Sequence, residues 1–99
     1  MTKKNAAYAQ DELFEAILAL KNTDECQQFF EDLCTITEIS AMAQRWEVAK
    51  LLRSKKTFQE VVQATGASTT TISRVNRCLQ YGSDGYNLVL DRLEETKQG

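Results

Sequence analysis

Residues 57–79, TFQEVVQATGASTTTISRVNRCL, decide the fold of this chain. Thr57 and Glu60 form a capping-box pattern, in which a threonine hydroxyl and a glutamate carboxylate satisfy backbone N–H groups at a helix start. Phe58, Val61 and Val62 supply the apolar positions of the short helix that follows. Gly66 is placed to end it, because glycine enters the left-handed conformation without a Cβ clash. Ser68 then caps a second helix, whose inner face is Ile72, Val75 and Leu79 at helical spacing. The run of β-branched residues at 69–72 favours a strand locally, but the serine cap and the apolar spacing outweigh it. Thr71, Ile72 and Val75 are assigned to the core, whereas Thr69, Thr70, Ser73, Asn76 and Arg77 face outward. The result is a helix-turn-helix at 57–79, and its small polar outer face suits a DNA major groove.

Outward from this motif, repeated helical spacing with no proline and only four glycines predicts an all-α chain of six helices. The first spans about Ala6 to Lys21 and is closed by Asn22. The second starts at Thr23, whose hydroxyl caps a turn containing Asp24 and Glu25. A third begins near Thr35 or Thr37, with Thr35 and Glu38 as a second capping box, and reaches about Arg53. Beyond the motif, YGSDGY at 81–86 reads as a loop, and Asp84 caps a last helix carrying Leu88, Val89, Leu90 and Leu93. The tail at 96–99 is expected to fray. Helices one and two carry apolar side chains on more than one face, which fits burial against a second subunit or packing on the DNA-binding half.

Ninety-nine residues with 42% hydrophobic content suit a single domain over 1–99. The chain holds no apolar run long enough to span a membrane, and its opening residues, MTKKNAAYAQDELF, lack the apolar core of a signal peptide. A cytoplasmic protein with no membrane partner is expected. Cys26, Cys34 and Cys78 show no CxxC spacing and there is no histidine, so they read as small core hydrophobes rather than metal ligands. The formal net charge is −2, yet residues 44–80 hold seven cations (Arg45, Lys50, Arg53, Lys55, Lys56, Arg74 and Arg77) against Glu47 and Glu60. Positive charge is thus concentrated at the motif, and acidic flanks would keep the remaining surface off DNA.

These residues also carry a family resemblance. GASTTTISRVNRCL at 66–79, the capped TFQE before it and AQRWEVAKLLR at 43–53 resemble the recognition helix, its approach and the long central helix of the Trp repressor superfamily. FFEDLCT at 29–35 and YGSDGYNLVLDRL at 81–93 extend the likeness to the YerC/YecD-type Trp-repressor-like proteins of Gram-positive bacteria. The resemblance implies a six-helix intertwined homodimer with two projecting reading heads. Such a dimer would favour palindromic operators in double-stranded DNA, with half-sites roughly 34 Å apart.

By position, Thr69, Thr70 and Ser73 match the family's base-proximal residues, with Ser68 at the cap and Arg77 further along the helix. Gln59 stands at a DNA-contacting position held elsewhere by arginine, and Val62 replaces a lysine. Arg74 matches the family's ligand-binding arginine on the recognition helix, and either Gln44 or Arg45 matches the one on the central helix. Val75, however, stands where the family has a glycine beside the ligand's indole, and Cys78 replaces a serine. Overfilling a close-packed site is unfavourable, so tryptophan binding is not expected.

The leading reading is a sequence-specific DNA-binding transcriptional regulator, with Gln59, Ser68, Thr69, Thr70, Ser73, Arg74 and Arg77 at the DNA. The alternative is a helical protein–protein interaction module without DNA binding. No cofactor is expected. Without histidine, a glycine-rich phosphate loop or paired metal ligands, enzymatic function is the least supported class.

Overall fold

The computed structural model describes residues 5–98. Six helices follow in order: α1 (Ala6–Leu18), α2 (Thr23–Leu33), α3 (Ile36–Arg53), α4 (Phe58–Thr65), α5 (Thr69–Tyr81) and α6 (Gly85–Gln98). Among the described residues there is no strand, so the β-branched run at the start of α5 is helical.

Side-chain caps set most boundaries. Asn5 Oδ1 accepts the Tyr8 N–H at 2.8 Å and starts α1. That helix stops at Leu18, short of the expected Lys21. Asn22 does not close it. Instead Asn22 Oδ1 accepts the Glu25 N–H at 2.9 Å and caps α2, so Thr23 is the first helical residue rather than the cap. Asparagine is the stronger capping residue, with a carbonyl oxygen well placed to accept from the third residue on. Glu25 returns its carboxylate to the Lys21 N–H at 2.9 Å. At α3, Thr35 and Glu38 form the expected box, at 2.8 and 3.1 Å. Asp84 departs from expectation: its backbone is left-handed at φ 68° and its carboxylate accepts from the Asn87 side chain, so it is not a side-chain cap on the α6 backbone. The tail is helical as far as Gln98, with Gly99 outside the described residues.

The chain divides into two compact units, Met1–Ile39 and Ser40–Gly99, with the division inside α3. In the first, α1 and α2 contain no fully buried residue. Phe29 and Phe30 meet edge to face at 5.7 Å, but Phe14 is 56% and Leu18 83% exposed. Those faces match the apolar excess read in the sequence.

The second unit has an apolar centre. Val48 and Ala49 on α3, Val61 on α4, Ala67 in the turn, and Ile72 and Val75 on α5 form one buried cluster. Leu51, Leu52, Val62, Leu79 and Tyr86 pack around it, and Tyr86 stacks on Trp46 with ring centres 6.3 Å apart. Ile72 has no solvent exposure. Its truncation leaves a cavity where α3, α4 and α5 converge. Ile72→Ala is therefore expected to cost about 2–5 kcal/mol of stability, read as a fall in the urea midpoint at unchanged m-value.

Candidate nucleic-acid interface

The site is built from the local chemistry of α4, its turn and α5. At the start of α4, Thr57 Oγ1 accepts the Glu60 N–H at 3.2 Å and Glu60 Oε1 accepts the Thr57 N–H at 3.1 Å. Gly66 closes α4 in the left-handed region at φ 70°, its N–H donating to the Val62 carbonyl at 2.9 Å. Thr65 Oγ1 donates to the Val61 carbonyl at 2.8 Å and accepts the Ala67 N–H at 3.1 Å, which draws the turn inward and buries Ala67. Ser68 Oγ then accepts the Thr71 N–H at 3.1 Å and opens α5.

Because Ile72 and Val75 are turned into the core, the opposite side of α5 is turned out. Thr69, Thr70, Ser73, Arg74 and Arg77 are all exposed. Their spacing joins them into one face: Thr69, Ser73 and Arg77 lie four apart, and Thr70 and Arg74 run beside them. Ser68 is exposed at the cap and Gln59 is exposed in the first turn of α4. Among the described residues, Arg74 and Arg77 have no ion-pair partner, so both guanidinium groups are available to an incoming anion.

Several assignments change. Thr71 is half-buried rather than core, with its hydroxyl 3.1 Å from Ser68 Oγ, because the serine cap offers it a polar partner at the helix edge. Asn76 is also half-buried rather than fully outward. Cys34 and Cys78 are half-buried and Cys26 is exposed, since α2 has no buried face in which to place it. The cationic surplus at 44–80 is smaller in space than along the sequence. Lys50 pairs with Glu47 at 3.1 Å, and Arg53 is bonded to Asp91 with Glu94 at 3.9 Å. The hydrogen bond to Asp91 raises the Arg53 pKa above its ordinary value. Asp91 and Glu94 of the acidic C-terminal flank are thus folded back onto a cation of the basic segment. Arg45, Lys55, Lys56, Arg74 and Arg77 remain outside these pairs.

A hollow of about 400 Å³ lies beside α5, lined by Ala41, Gln44, Arg45, Thr71 and Arg74. Both central-helix candidates, Gln44 and Arg45, reach it. Gln44 Nε2 donates to the Thr65 carbonyl at 3.2 Å, and Arg45 and Arg74 are the two cations of the lining. Val75 lies inside the core cluster, and only 1% of it is exposed. A second hollow of about 410 Å³, lined by Trp46, Cys78, Tyr86, Val89 and the turn at 83–85, is apolar and holds no cation.

Two capped helices at a left-handed glycine turn, packed on a longer helix, define an all-α helix-turn-helix protein. The chain belongs to the Trp repressor family: the family model described as Trp repressor protein matches residues 9–94. It is 56% identical over 87 residues to the uncharacterised protein YerC of Bacillus subtilis (strain 168), covering 88% of this chain and 84% of that one. Among solved structures, a TrpR-like protein from Eubacterium eligens is 56% identical with a TM-score of 0.85, covering 88% of this chain and 90% of that one. A Staphylococcus aureus structure is 53% identical, also with a TM-score of 0.85, covering 88% of this chain and 87% of that one. Among the described residues no helix is long and apolar enough to cross a membrane.

The capping boxes are acid-sensitive. The Thr57 N–H, then its hydroxyl, holds the Glu60 pKa below its ordinary 4.5, and Thr35 does the same for Glu38. A lowered folded-state pKa means that the contribution is complete above the unfolded value and is lost as pH falls through the folded one. Glu60→Gln keeps an acceptor but cannot titrate. It is expected to flatten the decline of the urea midpoint as pH falls below the ordinary carboxylate range, with Glu38 keeping its own part of the slope.

Proposed function

We propose that this chain is a sequence-specific DNA-binding transcriptional regulator, a cytoplasmic repressor that acts as a homodimer through α4 and α5. The observation that carries this reading is the division of α5 into a buried apolar face and an exposed face of Thr69, Thr70, Ser73, Arg74 and Arg77. Short hydroxyl side chains can meet base edges, thymine methyls and bridging waters, while Arg74 and Arg77 can pair with phosphate or guanine. The positive end of α5 lies at Ser68, Thr69 and Thr70, where a backbone phosphate is favoured. Gln59 adds a neutral donor from α4. With few bidentate readers, much of the discrimination comes from water and DNA shape, and affinity falls steeply with salt.

The homodimer is supported by α1 and α2, which expose Phe14, Leu18 and Leu33. Large apolar side chains left in water on two successive helices are what a subunit interface buries. Twofold symmetry would pair two α5 helices across a palindromic operator. Tryptophan is not the effector in this reading. Val75 has branched carbons packed among Val48, Ala49 and Ile72 where the family's glycine would leave room for an indole.

Two measurements test the reading. In gel-shift titrations on a duplex selected by the wild-type protein, Thr70→Ala combined with Arg74→Ala is expected to lower affinity at least about tenfold, from a loss of about 1–3 kcal/mol per contact. Unchanged affinity would displace the reading face. Complete failure of the wild type to shift genomic fragments at about 50 mM salt would favour the interaction-module alternative. Isothermal titration with L-tryptophan is expected to show no binding, and micromolar affinity would overturn the role given to Val75.

A further inference from the structure

The C-terminal end of α5 is held from outside the helix. A helix leaves its last carbonyls without intrahelical partners. Gly82 takes the Cys78 carbonyl at 2.9 Å, in a turn so close that a Cβ at 82 would lie 2.6 Å from that oxygen. The Leu79 carbonyl accepts from Asn87 Nδ2, on α6, at 3.1 Å. The same amide nitrogen donates to Asp84 Oδ1 at 2.9 Å, so its two protons bridge the end of α5 and the turn before α6. Asn87 is gripped in its turn. Arg53 Nη1, at the end of α3, donates to the Asn87 carbonyl at 3.1 Å and reaches its side-chain oxygen at 3.4 Å. Asp91 and Glu94 hold the other guanidinium nitrogen.

We propose that Asn87, anchored by Arg53, is a positioning residue for α5. It ties the far end of that helix to α6 and α3, so that the face from Thr69 to Arg77 meets a groove at one angle. This rests on the DNA reading proposed above, and it assigns Arg53 to the protein's interior bonding rather than to phosphate. Few side chains can replace asparagine here. Aspartate has the same shape but no donor when ionised, and glutamine is one methylene longer.

The test compares wild type, Asn87→Asp and Arg53→Lys as full chains, on a duplex selected from random sequence by the wild type and on a scrambled duplex. Asn87→Asp is expected to lower the selected-to-scrambled affinity ratio about tenfold while leaving scrambled affinity and the salt slope unchanged. Hydrogen exchange at amides 79–82 should speed up about tenfold in the same variant. Arg53→Lys keeps the charge but loses the fork, and should move both readouts in the same direction by less. It carries the test alone if Asn87→Asp does not fold. An unchanged ratio in the folded variants overturns the proposal. So does equal loss on both duplexes with a salt slope smaller by about one, which would make Arg53 a phosphate contact. If the wild type binds neither duplex, the DNA reading has failed, and exchange at 79–82 still decides the tie: unchanged exchange refutes it.

Discussion

The packing of Val48 and Ala49 on α3 against Val61, Ala67, Ile72 and Val75 is the contact on which the second unit depends. Three helices and one turn meet in that cluster. If Ile72 and Val75 point into it, the rotation of α5 about its own axis is set, and Thr69, Thr70, Ser73, Arg74 and Arg77 must face water. The candidate reading surface is thus the reverse side of a hydrophobic contact, and its composition matters only because the core fixes its direction. A glycine at φ 70° and a serine cap then let α4 and α5 approach within a few residues of chain.

The parts of the fold that were legible in the sequence are those governed by neighbours. Thr57 with Glu60, Thr35 with Glu38, Gly66 and Ser68 act over three or four residues, and their spacing alone predicts what they do. The apolar triple Ile72, Val75 and Leu79 is legible for the same reason. Local competition misleads when two capable residues adjoin, as with Asn22 and Thr23, where the asparagine takes the cap. Asp84 misleads because its left-handed backbone turns its carboxylate to a side chain instead of to the helix start.

Contacts between distant segments were not legible. Arg53 pairs with Asp91 across 38 residues, and no pattern within α3 or α6 announces it. The segmental charge count therefore overstated the free positive charge near α5. The same blindness hid Asn87, whose contact with Leu79 depends on how α6 folds back after Gly82. The hollow beside α5 is a further case: it brings Arg74 together with both Gln44 and Arg45, and the bond from Gln44 to the Thr65 carbonyl, 21 residues on, is announced by no local pattern.

Burial and exposure are distributed unequally. The second unit has a closed centre, whereas α1 and α2 bury nothing completely. The proposed division of labour follows this difference, with recognition assigned to α4 and α5 and assembly to α1 and α2. Amide-resolved magnetic resonance of labelled protein titrated with a selected duplex tests whether the outward face of α4 and α5 reads DNA. Shifts are expected at Gln59, Ser68, Thr69, Thr70, Ser73, Arg74 and Arg77, weakening as salt is raised. Shifts confined to α1 and α2, with α5 silent, would contradict that reading.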